Sequence, residues 1–117
     1  MADMNGSILD SIKKNLGIVP EYTAFDDQII LDINAAFSTL HQLGFGPDEG
    51  FEITSTDELW SDIIDEPRFN FVKSYISMKV KVMFDPPSSS YAMDALNKQI
   101  AEYEWRIKAE IETGGDE

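Results

Sequence analysis

The apolar residues of this chain recur at spacings of three and four in several separate runs, with glycine or proline between the runs. That spacing puts side chains on one face of a helix, and each such face needs a partner to bury it. Ile29, Ile33, Ala36, Leu40 and Leu43 form the clearest run, and Ile30 and Phe37 widen it. Thr23 with Asp26 reads as a capping signature before it. Asp26 and Asp27 in the first turn oppose the positive end of the helix dipole, and Gly44 stops the run. The pattern predicts a helix over about 24–43. Met93, Leu96, Ile100, Tyr103, Ile107 and Ile111 form a second, nearly heptad-like seam. It follows three serines, Ser88, Ser89 and Ser90, that can cap a helix. With no cysteine among 117 residues there is no disulfide staple, and the 43% of hydrophobic residues must supply the core.

Three further segments complete the reading. Ser7 is placed to cap a short amphipathic helix over 7–16, with Ile8, Leu9, Ile12 and Leu16 on one face and Gly17 at its end. Ser55 with Glu58, followed by Leu59, Trp60, Ile63 and Ile64, predicts a helix of about two turns before Pro67. Residues 69–84 fit two periods. Residues 76–82 alternate like a strand, whereas Phe69, Val72, Ile76, Val80 and Met83 line a helical face. Sixteen residues without glycine or proline is long for a strand, so a buried helix is preferred, with a strand as the alternative. Asp85, Pro86 and Pro87 form the structural turn that ends it.

The expectation is a mainly α protein: a small bundle of about four to five helices, a long loop around residues 44–55, and an extended C-terminal helix. Residues 1–6 read as a flexible arm, 7–112 as a single domain, and 113–117 as a mobile acidic tail. The N-terminus lacks a basic stretch followed by an apolar one, so no secretory signal is expected. No apolar run approaches the roughly 20 residues of a membrane span.

Charge narrows the function. There are 22 Asp and Glu against 9 Lys and Arg, a formal net charge of -13. Phosphate contacts need a basic surface, so specific nucleic-acid binding and docking on anionic membranes are both disfavoured. The charge is also uneven. Eight acids and no base lie between Asp48 and Glu66: Asp48, Glu49, Glu52, Asp57, Glu58, Asp62, Asp65 and Glu66. Four bases and no acid follow between Arg68 and Lys81: Arg68, Lys73, Lys79 and Lys81. These are either two solvated faces or complementary surfaces through which one copy docks head-to-tail on the next.

Catalysis finds little support. One histidine, His41, makes a hydrolytic triad or a histidine-rich metal site a poor fit, and it reads as a partly exposed helix residue. Adjacent carboxylates such as Asp26-Asp27 and Asp48-Glu49 sit where a helix start and a turn already explain them. No catalytic residue, metal site or cofactor is expected. The aromatics Trp60, Phe69, Phe71, Tyr75 and Phe84 fit a core. Trp105 is off the C-terminal seam, between Ala101 and Ala109, and is either an anchor for a partner or a contact to another helix of the same chain.

The order of these signals resembles the head–tail connector proteins, or adaptors, of long-tailed phages. The matching stretches are Ile12-Lys13-Lys14-Asn15-Leu16-Gly17-Ile18, Phe25-Asp26 with Ile33-Asn34, Leu40-His41-Gln42-Leu43-Gly44 with Gly46-Pro47, then Phe51-Glu52-Ile53 and Trp60. Val72-Lys73-Ser74-Tyr75-Ile76 follows, leading through Lys79-Val80 to Phe84-Asp85-Pro86-Pro87-Ser88-Ser89-Ser90. Glu102-Tyr103-Glu104-Trp105-Arg106 completes the set. The resemblance implies a helical virion protein, first present in the host cytoplasm, that forms a homo-oligomeric ring of roughly twelve subunits below the portal. Such a ring extends the DNA channel without specific DNA binding and docks a head-completion or tail protein. The resemblance makes Tyr103, Trp105 and Arg106 candidates for portal contact. The uneven charge suits a subunit interface between Arg68, Lys73, Lys79 or Lys81 and the Asp57, Glu58, Asp62, Asp65 and Glu66 face of a neighbour. The competing reading is an acidic DNA mimic that occupies a basic partner.

Overall fold

The computed structural model describes residues 6–114; the arm expected over 1–6, apart from Gly6, and the tail expected over 113–117, apart from Thr113 and Gly114, which end the last helix, lie outside the described residues. Four α-helices are present: α1 (Ile8–Asn15), α2 (Asp26–Gln42), α3 (Val72–Phe84) and α4 (Ser90–Gly114). Two single 3-10 turns, Trp60–Asp62 and Pro67–Phe69, lie between α2 and α3. No strand occurs among the described residues, so the periodicity of 69–84 resolves as a helix. A single antiparallel bridge joins Ser7 to Leu59. The mainly helical bundle with a long loop and an extended last helix is as the apolar spacing predicts.

Glycines set two of the helix ends. After α2, Gly44 takes a φ of 101°, a conformation that costs an L side chain energy. Its N–H donates to the His41 carbonyl while Phe45 N–H reaches back to Leu40, both at 3.0 Å. The turn drops Phe45 onto Phe69 in an edge-to-face contact 4.9 Å between centroids. Gly17 ends α1 in the same way, with Ile18 N–H on the Lys13 carbonyl at 2.9 Å. At the other ends, the Ser7 hydroxyl accepts from Asp10 N–H at 3.2 Å and the Ser89 hydroxyl from Ala92 N–H at 3.0 Å.

The seams converge on one core. Ile29, Ile33, Ala36, Phe37 and Leu40 of α2 pack with Val72, Tyr75, Ile76 and Val80 of α3, and Ile100 and Ile107 of α4 close the other side of α3. Phe25 touches Phe84, and Phe45 touches Phe69, so α2 and α3 run antiparallel. α4 returns along α3 after the Asp85-Pro86-Pro87 turn. Tyr75 meets Glu104 near the middle, and Arg68 meets Glu110 beyond the start of α3.

Two sequence expectations are corrected. The two-turn helix before Pro67 is only a 3-10 turn, because Ser55 and Glu58 spend their hydrogen bonds on a local loop. Glu58 accepts from Thr54 Oγ1 at 3.0 Å and from Ser55 N–H at 3.2 Å. Burial works against the Glu58 carboxylate, but these hydrogen bonds outweigh it and hold its pKa below the ordinary value. Thr23 does not cap α2 with its side chain; Phe25 occupies the N-cap position. Asp26, three residues after Thr23, reaches instead for Lys13.

Lys13 is only 1% exposed. Its ammonium lies 2.8 Å from Asp26 Oδ1 and donates to the Pro20 carbonyl at 2.9 Å. A buried ammonium requires such partners, and these two fasten α1 to the connecting turn and to the start of α2. Asp32 is the other buried charge, at 7% exposure. Burial raises its pKa, and the hydrogen bond from Gln28 Nε2 offsets part of the rise.

The long loop is held by a side chain. Asn34 Nδ2 donates to the Ile53 carbonyl at 3.0 Å, and Asn34 Oδ1 accepts from Ile53 N–H at 2.8 Å. One amide thereby satisfies both backbone groups of a buried residue. The N-terminal segment holds the far end of this loop. Ile8 N–H donates to the Glu58 carbonyl at 3.0 Å, and Trp60 Nε1 donates to Ser11 Oγ at 2.7 Å.

Two substitutions test these anchors. Asp26→Asn leaves the buried ammonium with one partner and should cost about 3 kcal/mol, the low end for a broken buried pair because Asp26 keeps some contact with water. Lys13→Met, which keeps the stem and removes the charge, should cost clearly less; urea denaturation of both variants measures the difference. Asn34→Ala should cost roughly 2 kcal/mol and speed hydrogen exchange at the Ile53 amide while leaving the α3 amides protected.

Candidate interaction surfaces

α4 presents two faces with different roles. Ile100 and Ile107 are buried, and Leu96, Tyr103 and Ile111 pack against the core. Trp105 points away from that seam and is 71% exposed. Of the two readings open for it, the contact to another helix of its own chain is therefore excluded. Ala101, one turn before it, is also exposed, so the indole stands clear of its neighbours along the helix.

The structure does not group Trp105 with Tyr103 and Arg106. Tyr103 lies inward, its ring 5.7 Å from that of Phe71. The Arg106 guanidinium covers Phe71 at 4.5 Å and Tyr103 at 5.4 Å. Cation–π contacts of this kind hold the α3–α4 junction; Arg106, although exposed, is engaged there, and Trp105 is the exposed apolar member of the trio.

Tyr75 and Glu104 make the main polar link between α3 and α4. The fully buried phenol donates to Glu104 Oε2 at 2.7 Å, and Lys79 Nζ lies 3.8 Å from the same oxygen. Burial, then the hydrogen bond and charge of Glu104, push the Tyr75 pKa upward. The neutral phenol is the form the fold stabilises.

The basic and acidic segments are partly spent within the chain. Arg68 bonds Glu66 Oε1 at 2.8 Å and Glu110 Oε1 at 3.1 Å, and Lys81 Nζ lies 3.3 Å from Asp85 Oδ2. Asp62 Oδ2 accepts from Leu59 N–H at 2.8 Å, and Glu58 closes the loop described above. Lys73, Asp57 and Asp65 make no ion pair among the described residues. His41 is an exposed helix residue whose Nε2 lies 2.9 Å from the Asp48 carbonyl, so it steadies the loop. A second exposed apolar surface, absent from the sequence expectations, lies where α2 begins and α3 ends. There Tyr22, Phe25 and Phe84 form a chain of edge-to-face contacts at 5.7 and 5.5 Å.

Among known protein families, the phage connector proteins match residues 8–114, from the start of α1 to the end of α4. The chain belongs to the phage connector protein family. This connector is thus a structural component of a phage particle, and the match spans the whole described bundle rather than one local motif. None of the curated proteins and none of the solved structures matches it. No helix among the described residues of the connector is long and apolar enough to cross a membrane.

Sequence reasoning passed over the connector's buried charges. Lys13 lies four residues after Leu9 and three before Leu16, and Asp32 lies three after Ile29 and four before Ala36. A charge at a seam position is the signal that would have found both.

The raised Tyr75 pKa fixes the sign of an alkaline effect. Its contribution to stability is complete below the unfolded tyrosine value of about 10 and is lost as pH rises above it. Tyr75→Phe should lower stability at pH 7 by about 1 kcal/mol and flatten the fall between neutral and alkaline pH. Denaturation midpoints followed across that range check both parts.

Proposed function

We propose that this connector is the adaptor subunit that forms a closed ring beneath the portal of a filled phage head. The observation that carries the proposal is the family match over residues 8–114, which takes in every helix of the bundle. In this reading the ring follows the portal symmetry, about twelve-fold, and continues the DNA channel. Its distal face receives a head-completion or tail protein. Subunits assemble from the host cytoplasm into the head–tail junction.

Physical arguments support each part. A net charge of -13 repels DNA, so a channel wall made of such subunits passes the duplex without holding it. An exposed indole on the longest helix is the kind of anchor that contributes most to protein interfaces, and we assign portal contact to α4 through Trp105, with Tyr103 and the Arg106 guanidinium that covers it bracing the helix against α3. The subunit seam pairs the basic residues Arg68, Lys73, Lys79 and Lys81 with the acidic face Asp57, Glu58, Asp62, Asp65 and Glu66 of the next copy. Exposed ion pairs such as Lys81–Asp85 are worth little, so exchanging an internal partner for one on a neighbour costs little.

Electron microscopy of the purified protein with and without its portal tests the ring directly, and rings seated on the portal are the expected result. Portal particles that stay bare at saturating protein would overturn the proposal. Trp105→Ala should leave the thermal midpoint within about 2 °C, because the side chain buries little in its own fold, while weakening portal binding at least about tenfold. Co-sedimentation with portal particles reads that loss.

A further inference from the structure

The bases between Arg68 and Lys81 are not equivalent. Arg68, Lys79 and Lys81 each have a carboxylate partner in the chain, whereas Lys73 has none among the described residues. Lys14, on α1, likewise has none. These two lysines line the same groove, a hollow of about 630 Å³ between α1, α3 and α4. Ser74, Ser77, Asn15 and Gln99 add hydroxyl and amide groups to the lining, and no carboxylate takes part. In a chain with 22 acids and 9 bases, this is the reverse of the average surface.

The groove is also braced. Asn15 Nδ2 donates to Ser77 Oγ at 2.8 Å, tying α1 to α3 beside the two lysines. That bond fixes the two helices that carry the lysines against each other before anything binds, which lowers the ordering cost of binding. A carboxylate, which only accepts hydrogen bonds, fits such a donor-rich surface.

We propose that this groove is the socket for the acidic segment Asp57–Glu66 of a second copy of the chain. The inference rests on the ring reading above and names the contact that closes the ring. Within that segment Glu58, Asp62 and Glu66 are held by their own chain, whereas the Asp57 and Asp65 side chains have no hydrogen bond or ion pair among the described residues. Both are exposed. Asp65 borders a different hollow, lined by Gly44, Phe45, Arg68 and Ile111, which shares no residue with the groove. Trp60, between the two acids in sequence, is buried and forms part of the groove wall, whereas Asp65 faces away from it, so one copy can offer its groove and its own Asp65 at once, as a head-to-tail contact requires. Duplex DNA is the weaker occupant. Two lysines neutralise too few phosphates to hold a duplex against a net charge of -13.

A charge-swap experiment tests the contact. One variant carries Lys14→Glu and Lys73→Glu, and the other carries Asp57→Lys and Asp65→Lys. Each is checked for folding by circular dichroism. Self-association is then measured by sedimentation velocity, or on portal particles by microscopy where the wild type needs the portal. Each variant alone should associate at least about tenfold more weakly than wild type. An equimolar mixture should recover assembly, because alternating copies then face opposite charges at every contact. Should a reversed variant fail to fold, Lys14→Gln with Lys73→Gln and Asp57→Asn with Asp65→Asn replace it, with weakened association expected for each. Wild-type assembly with undiminished assembly of the variants would remove the socket and leave the ring standing. Loss without recovery in a mixture of folded reversed variants would also overturn this pairing. Wild type that never self-associates, even with portal, would overturn the ring reading and the socket together. Duplex binding at low salt that disappears in Lys14→Glu/Lys73→Glu would reassign the groove to phosphate.

Discussion

A buried ammonium cannot be left to find its own partner, and the arrangement of the N-terminal half follows from that. Lys13 takes its acceptor from Pro20 and its counter-charge from Asp26, which fixes the turn after α1 and the start of α2 together. With α1 so placed, Ser11 meets Trp60 and Ile8 meets Glu58, and the segment before α3 gains its support. The same placement brings Asn15 against Ser77 on α3. The Lys13 charge is thus repaid through position more than through its own pair, since a half-buried ion pair adds little by itself once desolvation is counted.

Much of this was legible in the residues. Apolar spacing located α1, α2, α3 and α4, and Gly17, Gly44 and the Asp85-Pro86-Pro87 turn marked their limits. These signals are local, so a sequence displays them openly. Residues 59–66 depart from the helix their spacing predicts, because Leu59, Trp60, Ile63 and Ile64 satisfy helical spacing while Trp60 and Ile64 are buried from a loop and a 3-10 turn. What decides there is the set of hydrogen bonds from Ser55, Glu58 and residues 6–8, which no period reveals. Thr23 failed as a cap for a related reason, since Asp26 answers a lysine thirteen positions earlier.

The interaction surfaces divide in the same way. Trp105 could be singled out because it departs from its helix seam, a property of one segment. The pairing of Lys14 with Lys73 could not, because it exists only when three helices meet. Charge runs counted along the chain likewise say nothing of which members are already engaged. Arg68 belongs to the basic run, yet it caps the end of α4 through the Glu110 carbonyl at 2.8 Å and lies over Phe69. Membership in the phage connector family agrees with a chain whose buried polar groups serve the fold.

The Ser11–Trp60 hydrogen bond joins residues 49 positions apart, and the Ser7–Leu59 bridge lies beside it. The α3–α4 hairpin, by contrast, closes over a turn of a few residues. Loop-closure entropy therefore favours the hairpin early and the docking of α1 late in folding. Lys14 and Asn15 arrive at the α3 surface only with that last step. A subunit whose α1 has not docked consequently lacks Lys14 and Asn15, and with them half of the lysine groove.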